Sequence, residues 1–211
     1  MVDAILNGPG LEEADVKTTK VLMWLLILGM LWAVAEIFGE NLLADLGIGG
    51  DASLWLAGWA LLLLGMLRGV WNKIGSSSII ALSVALLKFV CISTNYCHLL
   101  GIVSLGLVFD LFASNVLTRE RNQWWRLTLV GACTAYGARV FFVLYSIHVA
   151  HFERWVDGGL QMALEHVVQS GSLVAIAALF LVPLGFRIGE KAAGMGSKVL
   201  VDHDVFPAGE H

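Results

Sequence analysis

The sequence predicts an all-α, polytopic membrane protein with a six-transmembrane-helix bundle and both termini in the cytoplasm. Two features of the composition indicate this class. Hydrophobic residues make up 58% of the chain and charged residues only 14%, and the mean hydropathy is +0.79. Soluble domains carry roughly 25% charged residues. The third feature is the distribution of the apolar residues, which form separate stretches of about 20 residues, the length that crosses a bilayer as a helix.

Six apolar segments are predicted to span the membrane. They cover residues 21–38, 54–71, 77–95, 98–115, 124–149 and 166–187. We therefore expect a cytoplasmic tail over 1–20, a transmembrane domain over 21–191 and a second cytoplasmic tail over 192–211. The residues before Lys17 are acidic, which is wrong for a cleaved signal peptide, so we expect the first apolar segment to stay in the mature protein.

Lysine and arginine predict the orientation. If the N-terminus is cytoplasmic, ten basic residues fall on the inner side and only Arg154 falls in the outer loops. The inner residues are Lys17, Lys20, Arg68, Lys73, Arg119, Arg121, Arg126, Arg187, Lys191 and Lys198. By the positive-inside rule this asymmetry indicates that both termini are cytoplasmic. We expect a multi-pass protein of the cell (plasma) membrane, in contact with membrane lipid.

Four charged residues lie inside the predicted spans and away from the basic end of each span: Glu36, Lys88, Asp110 and Arg139. Lys88 and Asp110 belong to the 77–115 hairpin and are predicted near mid-membrane, where they are candidates to pair. Glu36 and Arg139 lie at similar depths and are candidates for a second pair. A charge in a spanning helix faces the bundle interior, pairs and often marks a functional site. Two interpretations stay open, namely purely structural ion pairs and the lining of a pocket for a polar ligand.

Helical phase places further polar residues in the outer half of the bundle. Asn95 shares a face with Lys88, and His166 and Gln169 lie on the first turns of the last segment. We expect a pocket that opens to the outside and is floored near Lys88 and Asp110. The predicted substrate-binding residues are Glu36, Lys88, Asn95, Asp110, Arg139, His166 and Gln169. Lys88 and Arg139 are suited to a carboxylate or phosphate of the ligand, and Glu36 and Asp110 to an amine.

Pairs of small residues four apart indicate where helices approach closely. These pairs are Gly29 with Ala33, Ala35 with Gly39, Gly65 with Gly69, and Gly185 with Gly189. Packing inside the bundle is the favoured interpretation of each pair.

The sequence lacks the motifs of common enzymes, GxxxxGK[ST], GxSxG and HExxH, so no catalytic residue is expected. The three cysteines are odd in number and lack metal-type spacing, so neither a disulfide framework nor a metal site is expected. Four histidines, His98, His148, His151 and His166, fall near the outer rim. An interfacial position is the favoured interpretation, without a cofactor, and ligation of haem or a metal is the alternative. No basic stripe indicates nucleic acid.

Two stretches resemble the substrate-binding S components of energy-coupling factor (ECF) transporters. GSSSIIALSVALLKF, followed by LLGIVSLGLVFDLF, is similar to the third and fourth helices of some members, and LFLVPLGFRIGEK is similar to their last helix. The resemblance implies a protein that captures a vitamin-like solute in an outward pocket. It also implies a transmembrane coupling subunit and ATPase subunits as partners, with the coupling surface at Gly29, Ala33 and Ala35.

The predicted function is therefore capture of a small polar solute for ATP-driven uptake by partner subunits, without enzymatic activity. Two alternatives stay open. The first is a membrane subunit of a larger complex whose charges and histidines serve assembly or bind haem. The second is an ion or proton carrier that acts alone, with Glu36, Asp110 and the histidines as a relay.

Overall fold

The computed structural model describes residues 9–47, 52–92, 96–116 and 124–203, which are helical apart from short turns and connections. The helices are α1 (Pro9–Asp45), α2 (Ala52–Val70), α3 (Ser76–Cys91), α4 (Tyr96–Val116), α5 (Trp124–His148) and α6 (Glu153–His203). The predicted starts of α2 to α5 lie within two residues of the observed starts. The prediction for α3 is wrong at its other end, because the helix stops at Cys91 and Ile92 is extended (φ −136°, ψ 132°).

The helices form a closed ring. α1 packs against α2 and α3, α2 packs most extensively against α6, and α6 packs against α5. The ring is completed by the contacts of α5 with α4 and of α4 with α3. The order around the bundle is therefore α1, α2, α6, α5, α4, α3. Smaller contacts of α2 with α3 and α4 fill the centre.

The surface of the bundle is apolar, and its interior contains charges. Leu26, Val90 and Phe180 are 69%, 80% and 66% exposed, whereas Arg68 and Lys88 are 2% and 1% exposed. Soluble proteins rarely expose apolar patches on this scale. Among the described residues, five helices are long and apolar enough to cross a membrane by length and composition, and the apolar α3, with 16 residues, is shorter. These properties are consistent with a multi-pass membrane protein.

The contact between α2 and α6 uses both predicted GxxxG pairs. A Cβ on Gly65 would lie 2.6 Å from the carbonyl oxygen of Val182, and a Cβ on Gly185 would overlap the backbone of α2. Gly69 and Gly189 meet at the next turn of the same contact. The predicted role of these glycines inside the bundle is confirmed, since only residues without a side chain allow the two backbones to come so close.

The small residues of α1 also pack inside the chain. Gly29 is buried, and a Cβ at this position would lie 3.5 Å from Cγ1 of Ile80 on α3. Ala33 is 3% exposed, and Ala35 is half-buried. In the described chain Gly29 and Ala33 therefore serve the packing of α1 on its own bundle, which leaves no open surface for a partner at these two positions.

The two ends of the bundle differ in chemistry. At one end, here the basic end, the guanidinium of Arg187 lies 4.7 Å from the ring centroid of Trp124, and Arg68 lies near the start of α3. At the other end, here the histidine end, His98, His151 and His166 surround a cavity.

Candidate functional site: a cavity at the histidine end

A cavity of about 670 Å³ opens at the histidine end. Its walls come from the last third of α1, the start of α2, the start of α4, the second half of α5, the α5–α6 connection and α6. The lining residues are Trp32, Glu36, Ser53, Leu56, Ala57, Cys97, His98, Gly101, Ile102, Leu105, Ala135, Ala138, Arg139, Phe142, His151, Phe152, Glu153, Trp155, His166 and Val174. Ligand pockets usually have volumes of about 300–1,000 Å³ and mostly apolar walls with a few polar groups. This cavity has both properties.

The α5–α6 connection closes one side of the cavity. His151 has a positive φ of 48°, and the backbone N–H of Phe152 donates to the carbonyl of Ser146, at 3.0 Å. This turn leads into a short helical piece that breaks at Gly159, with φ 66° and ψ −173°. Such backbone angles are essentially restricted to glycine. The break therefore lets Trp155 pack over the cavity before α6 continues through the bundle.

Glu36 and Lys88 form an ion pair on the cavity wall. Nζ of Lys88 lies 2.9 Å from Oε2 of Glu36, and the indole N–H of Trp32 donates to Oε1 at 3.3 Å. Glu36 lines the cavity, whereas Lys88 lies behind it and is not a lining residue. The predicted pairing of Lys88 with Asp110 is therefore wrong, and so is the pairing of Glu36 with Arg139.

Asp110 pairs instead with Arg68 at the basic end. The two side chains form a buried ion pair and hydrogen bond. Asp110 also accepts hydrogen bonds from the backbone N–H of Ser78 at 2.7 Å and from its hydroxyl at 2.5 Å. Gly75, the N-cap of α3, provides no side-chain hydrogen bond to this helix start. Asp110 therefore supplies from α4 the anionic cap that the first turn of α3 lacks.

Arg68 is a buried charge that the sequence patterns do not predict. It belongs to the basic residues assigned to the inner side, and in the structure it lies at the basic end and is 2% exposed. A signal was present, because Arg68 lies three residues after Gly65 and next to Gly69, on the face that packs. Two further hydrogen bonds hold its guanidinium, to Oδ1 of Asn72 at 3.1 Å and to the hydroxyl of Ser114 at 3.2 Å.

Arg139 is the cation of the cavity wall. It is half-buried, and it lies on α5 between Ala138 and Phe142, which also line the cavity. Two buried ion pairs lie in the described bundle, Asp110 with Arg68 and Glu36 with Lys88, and Arg139 belongs to neither. In this part of the chain, the central charges are therefore two neutralised pairs and one cation that no carboxylate neutralises.

Aromatic rings form the wall next to Arg139. The ring centroids of Phe142 and Trp155 are 5.7 Å apart at an interplanar angle of 84°, and those of Trp155 and His166 are 5.0 Å apart at 69°. Both are edge-to-face arrangements of the kind that aromatic pairs prefer. Together with Phe152, these three residues are here called the aromatic wall.

The structure brings some of the predicted site residues together and separates others. Glu36, Arg139 and His166 line the cavity, and Lys88 supports Glu36 from behind. Asp110 lies at the basic end, so it does not form the predicted floor. Gln169 is exposed and is not a lining residue. Asn95 lies outside the described residues.

Three of the four rim histidines, His98, His151 and His166, line the cavity, and His148 does not. Within the described ranges, no group of three or more His, Cys, Asp or Glu side chains is placed to hold a metal ion. A tetrahedral metal site needs at least three protein ligands. The described residues therefore give no such site at this cavity.

No protein-family model, curated protein sequence or solved structure matches the chain.

Proposed function

We propose that this protein is a substrate-binding integral membrane subunit that captures a small polar solute in the cavity at the histidine end. The solute is then taken up by ATP-driven partner subunits, a transmembrane coupling subunit and ATPases, as the resemblance to ECF S components implies. The observation that carries the proposal is Arg139, a cation on the wall of a cavity of ligand size that no described carboxylate neutralises.

The cost of placing such a charge supports a ligand. An arginine at the centre of a spanning helix costs about 2.5–3.5 kcal/mol on insertion scales. The bundle offsets the charges of Arg68 and Lys88 with buried carboxylates. Arg139, in contrast, lies on the wall of an open cavity and belongs to neither of these ion pairs. An anionic group that enters this cavity from the water supplies the missing counter-charge.

The proposed topology has six spans, both termini in the cytoplasm and the cavity facing outward in the plasma membrane. The basic end carries Arg126 and Arg187 next to its tryptophans, and the positive-inside rule directs such an end to the cytoplasm. α3 rises only about 24 Å, and the proposal counts it as the sixth span because it is apolar and packs between α1 and α4 in the ring. Cysteine labelling of single-cysteine variants at 98 and 187, from outside intact cells, tests this topology. Labelling at 187 but not at 98 would refute it.

Native mass spectrometry of the mildly solubilised protein tests solute capture. We expect a co-purified small molecule that is lost in Arg139→Gln and retained in Arg126→Gln. Arg126 is a matched control because it is also a half-buried arginine of α5, about 20 Å along the helix from Arg139. Equal retention in both variants, or a cavity that stays empty in the wild type under every mild condition, would contradict the proposal. Co-purification of a coupling subunit and ATPases in the same experiment supports the transport assignment.

Haem binding is the second candidate function. It is favoured by the three histidines on the cavity wall, since one or two histidines suffice as axial ligands of haem. Visible absorption of the purified protein separates the candidates. A Soret band that is lost in variants of these histidines would replace solute capture by haem binding, and a colourless protein with a bound organic solute would exclude haem.

A further inference from the structure

We propose that the ligand of the cavity is a molecule with one carboxylate on a flat aromatic body, with the carboxylate at Arg139 and the ring against the aromatic wall. This inference rests on the proposed function and specifies its substrate class. It comes from the charges and the shape of the cavity wall, in three steps.

The first step is the charge of the ligand. Glu36 is neutralised by Lys88 at 2.9 Å, so neither charge calls for a counter-ion. Glu153 lies exposed at the rim, where water solvates it. Arg139 is then the one cation of the described wall without a carboxylate partner. One guanidinium matches one carboxylate, whereas a doubly charged phosphate usually requires several cationic or N–H donors.

The second step is the geometry of the charged contact. The planar guanidinium presents a fork of N–H donors that binds a carboxylate through two parallel hydrogen bonds. Its neighbours on the cavity side of α5 are Ala135 and Ala138, which are 2% and 6% exposed and line the cavity. These small side chains leave room beside the guanidinium for the carboxylate and for the chain that carries it.

The third step is the body of the ligand. Phe142 lies three residues after Arg139 on the same face of α5. It contacts Trp155 edge-to-face, and Trp155 contacts His166 in the same way. Trp32, which is 1% exposed, lines the cavity from α1. Rings held in this manner offer faces and edges on which a flat ring stacks, and they favour it over a flexible alkyl chain.

Thermal unfolding of the full-length protein in detergent tests the inference with four probes, namely indole-3-propionate, indole-3-propionamide, decanoate and inorganic phosphate. The apparent Kd follows from the dependence of Tm on probe concentration. We expect indole-3-propionate to bind at least tenfold more tightly than the amide, which lacks the charge, and more tightly than decanoate, which lacks the ring. This comparison uses only the wild-type protein, so it does not depend on the folding of a variant.

Variants locate the binding. Arg139→Gln is expected to weaken indole-3-propionate roughly 10- to 100-fold, because a hydrogen bond to a charged group is lost. Arg139→Lys keeps the positive charge but loses the fork of N–H donors. Its affinity for indole-3-propionate is expected to lie between those of the wild type and of Arg139→Gln. Arg126→Gln is the matched control and is expected to leave the affinity unchanged.

The other outcomes overturn the inference in distinguishable ways. Preference for phosphate or for the amide, lost in Arg139→Gln, would refute the monocarboxylate and leave solute capture standing. Equal binding of decanoate would assign the site to fatty acids of the membrane and refute the aromatic body. No stabilisation by any probe up to its solubility limit would refute the substrate class. If native mass spectrometry also finds no bound solute, the proposed function fails with it.

Discussion

Replacing Asp110 with asparagine tests whether the pair at the basic end is structural. The carboxylate neutralises Arg68, which is 2% exposed, and it caps the first turn of α3 through Ser78. Asparagine keeps the shape and one acceptor, so the N–H of Ser78 keeps a partner. Its amide group, however, leaves the guanidinium of Arg68 without a counter-charge. Breaking a buried pair by removing one partner costs about 3–5 kcal/mol, and hydrogen bonds between membrane helices contribute about 0.6 kcal/mol each. We therefore expect Asp110→Asn to lower the free energy of unfolding by about 3–5 kcal/mol, mostly through the uncompensated charge.

The assay is reversible unfolding in mixed detergent micelles, with a double-mutant cycle. Arg68→Leu combined with Asp110→Asn removes both charges and is expected to lose less than about 2 kcal/mol. Asp157→Asn is the control, because Asp157 is exposed and a surface change of this kind costs less than about 0.5 kcal/mol. A double variant as unstable as the sum of the two single variants would refute the reasoning, as would an Asp110→Asn protein as stable as the control.

Two further predictions concern the ion pair of Glu36 with Lys88 and the close contact of α2 with α6, and both are measured by the same unfolding assay. Glu36→Gln is expected to cost about 3–5 kcal/mol, because the ammonium of Lys88, 1% exposed, loses its carboxylate. Lys88→Met is expected to cost less, since Glu36 lines an open cavity and keeps its hydrogen bond from an indole N–H. A larger loss of stability in Lys88→Met than in Glu36→Gln would contradict the position of Glu36 on the cavity wall and of Lys88 behind it. Gly65→Ala is expected to cost about 1–3 kcal/mol, because its Cβ would lie 2.6 Å from a backbone oxygen of α6. Gly101→Ala is the matched control, with nothing within 4 Å of the added Cβ, and it is expected to be neutral or to stabilise by about 0.5–1 kcal/mol; equal losses in both variants would show that α2 and α6 do not pack this closely.

The features that the sequence predicts well depend on local patterns. Apolar runs bounded by polar residues give the starts of α2 to α5 within two residues, whereas α1 and α6 begin 12 and 13 residues before their apolar runs. The GxxxG pairs at Gly65 and Gly185 predict close packing, because a missing side chain has few other uses in an apolar helix. Three of the polar residues that the sequence places in one half of the bundle, Glu36, Arg139 and His166, line the cavity, whereas the predicted floor at Asp110 is wrong.

The pairing of the charges depends on the end of one helix, which local patterns do not fix. A span over 77–95 places Lys88 and Asp110 about 4–10 Å apart in depth, within or just beyond the reach of their side chains. The structure ends α3 at Cys91 and begins α4 at Tyr96. Asp110 therefore lies opposite Ser78, ten residues before Lys88 and about 15 Å away along the helix. A shift of one helical turn at the hairpin was enough to exchange the partners.

Arg68 changes the charge balance of the whole interior. The four charges read from the sequence, Glu36, Lys88, Asp110 and Arg139, sum to zero, and two pairs would then leave nothing for a ligand. With Arg68 inside the bundle and paired with Asp110, Lys88 pairs with Glu36, and the surplus positive charge falls on Arg139. That surplus lies on the wall of the cavity and not at the basic end, where Arg68 also binds Asn72 and Ser114. Under the proposed function, a ligand without an anionic group would leave Arg139 without a counter-charge, so the proposal requires a ligand that carries such a group.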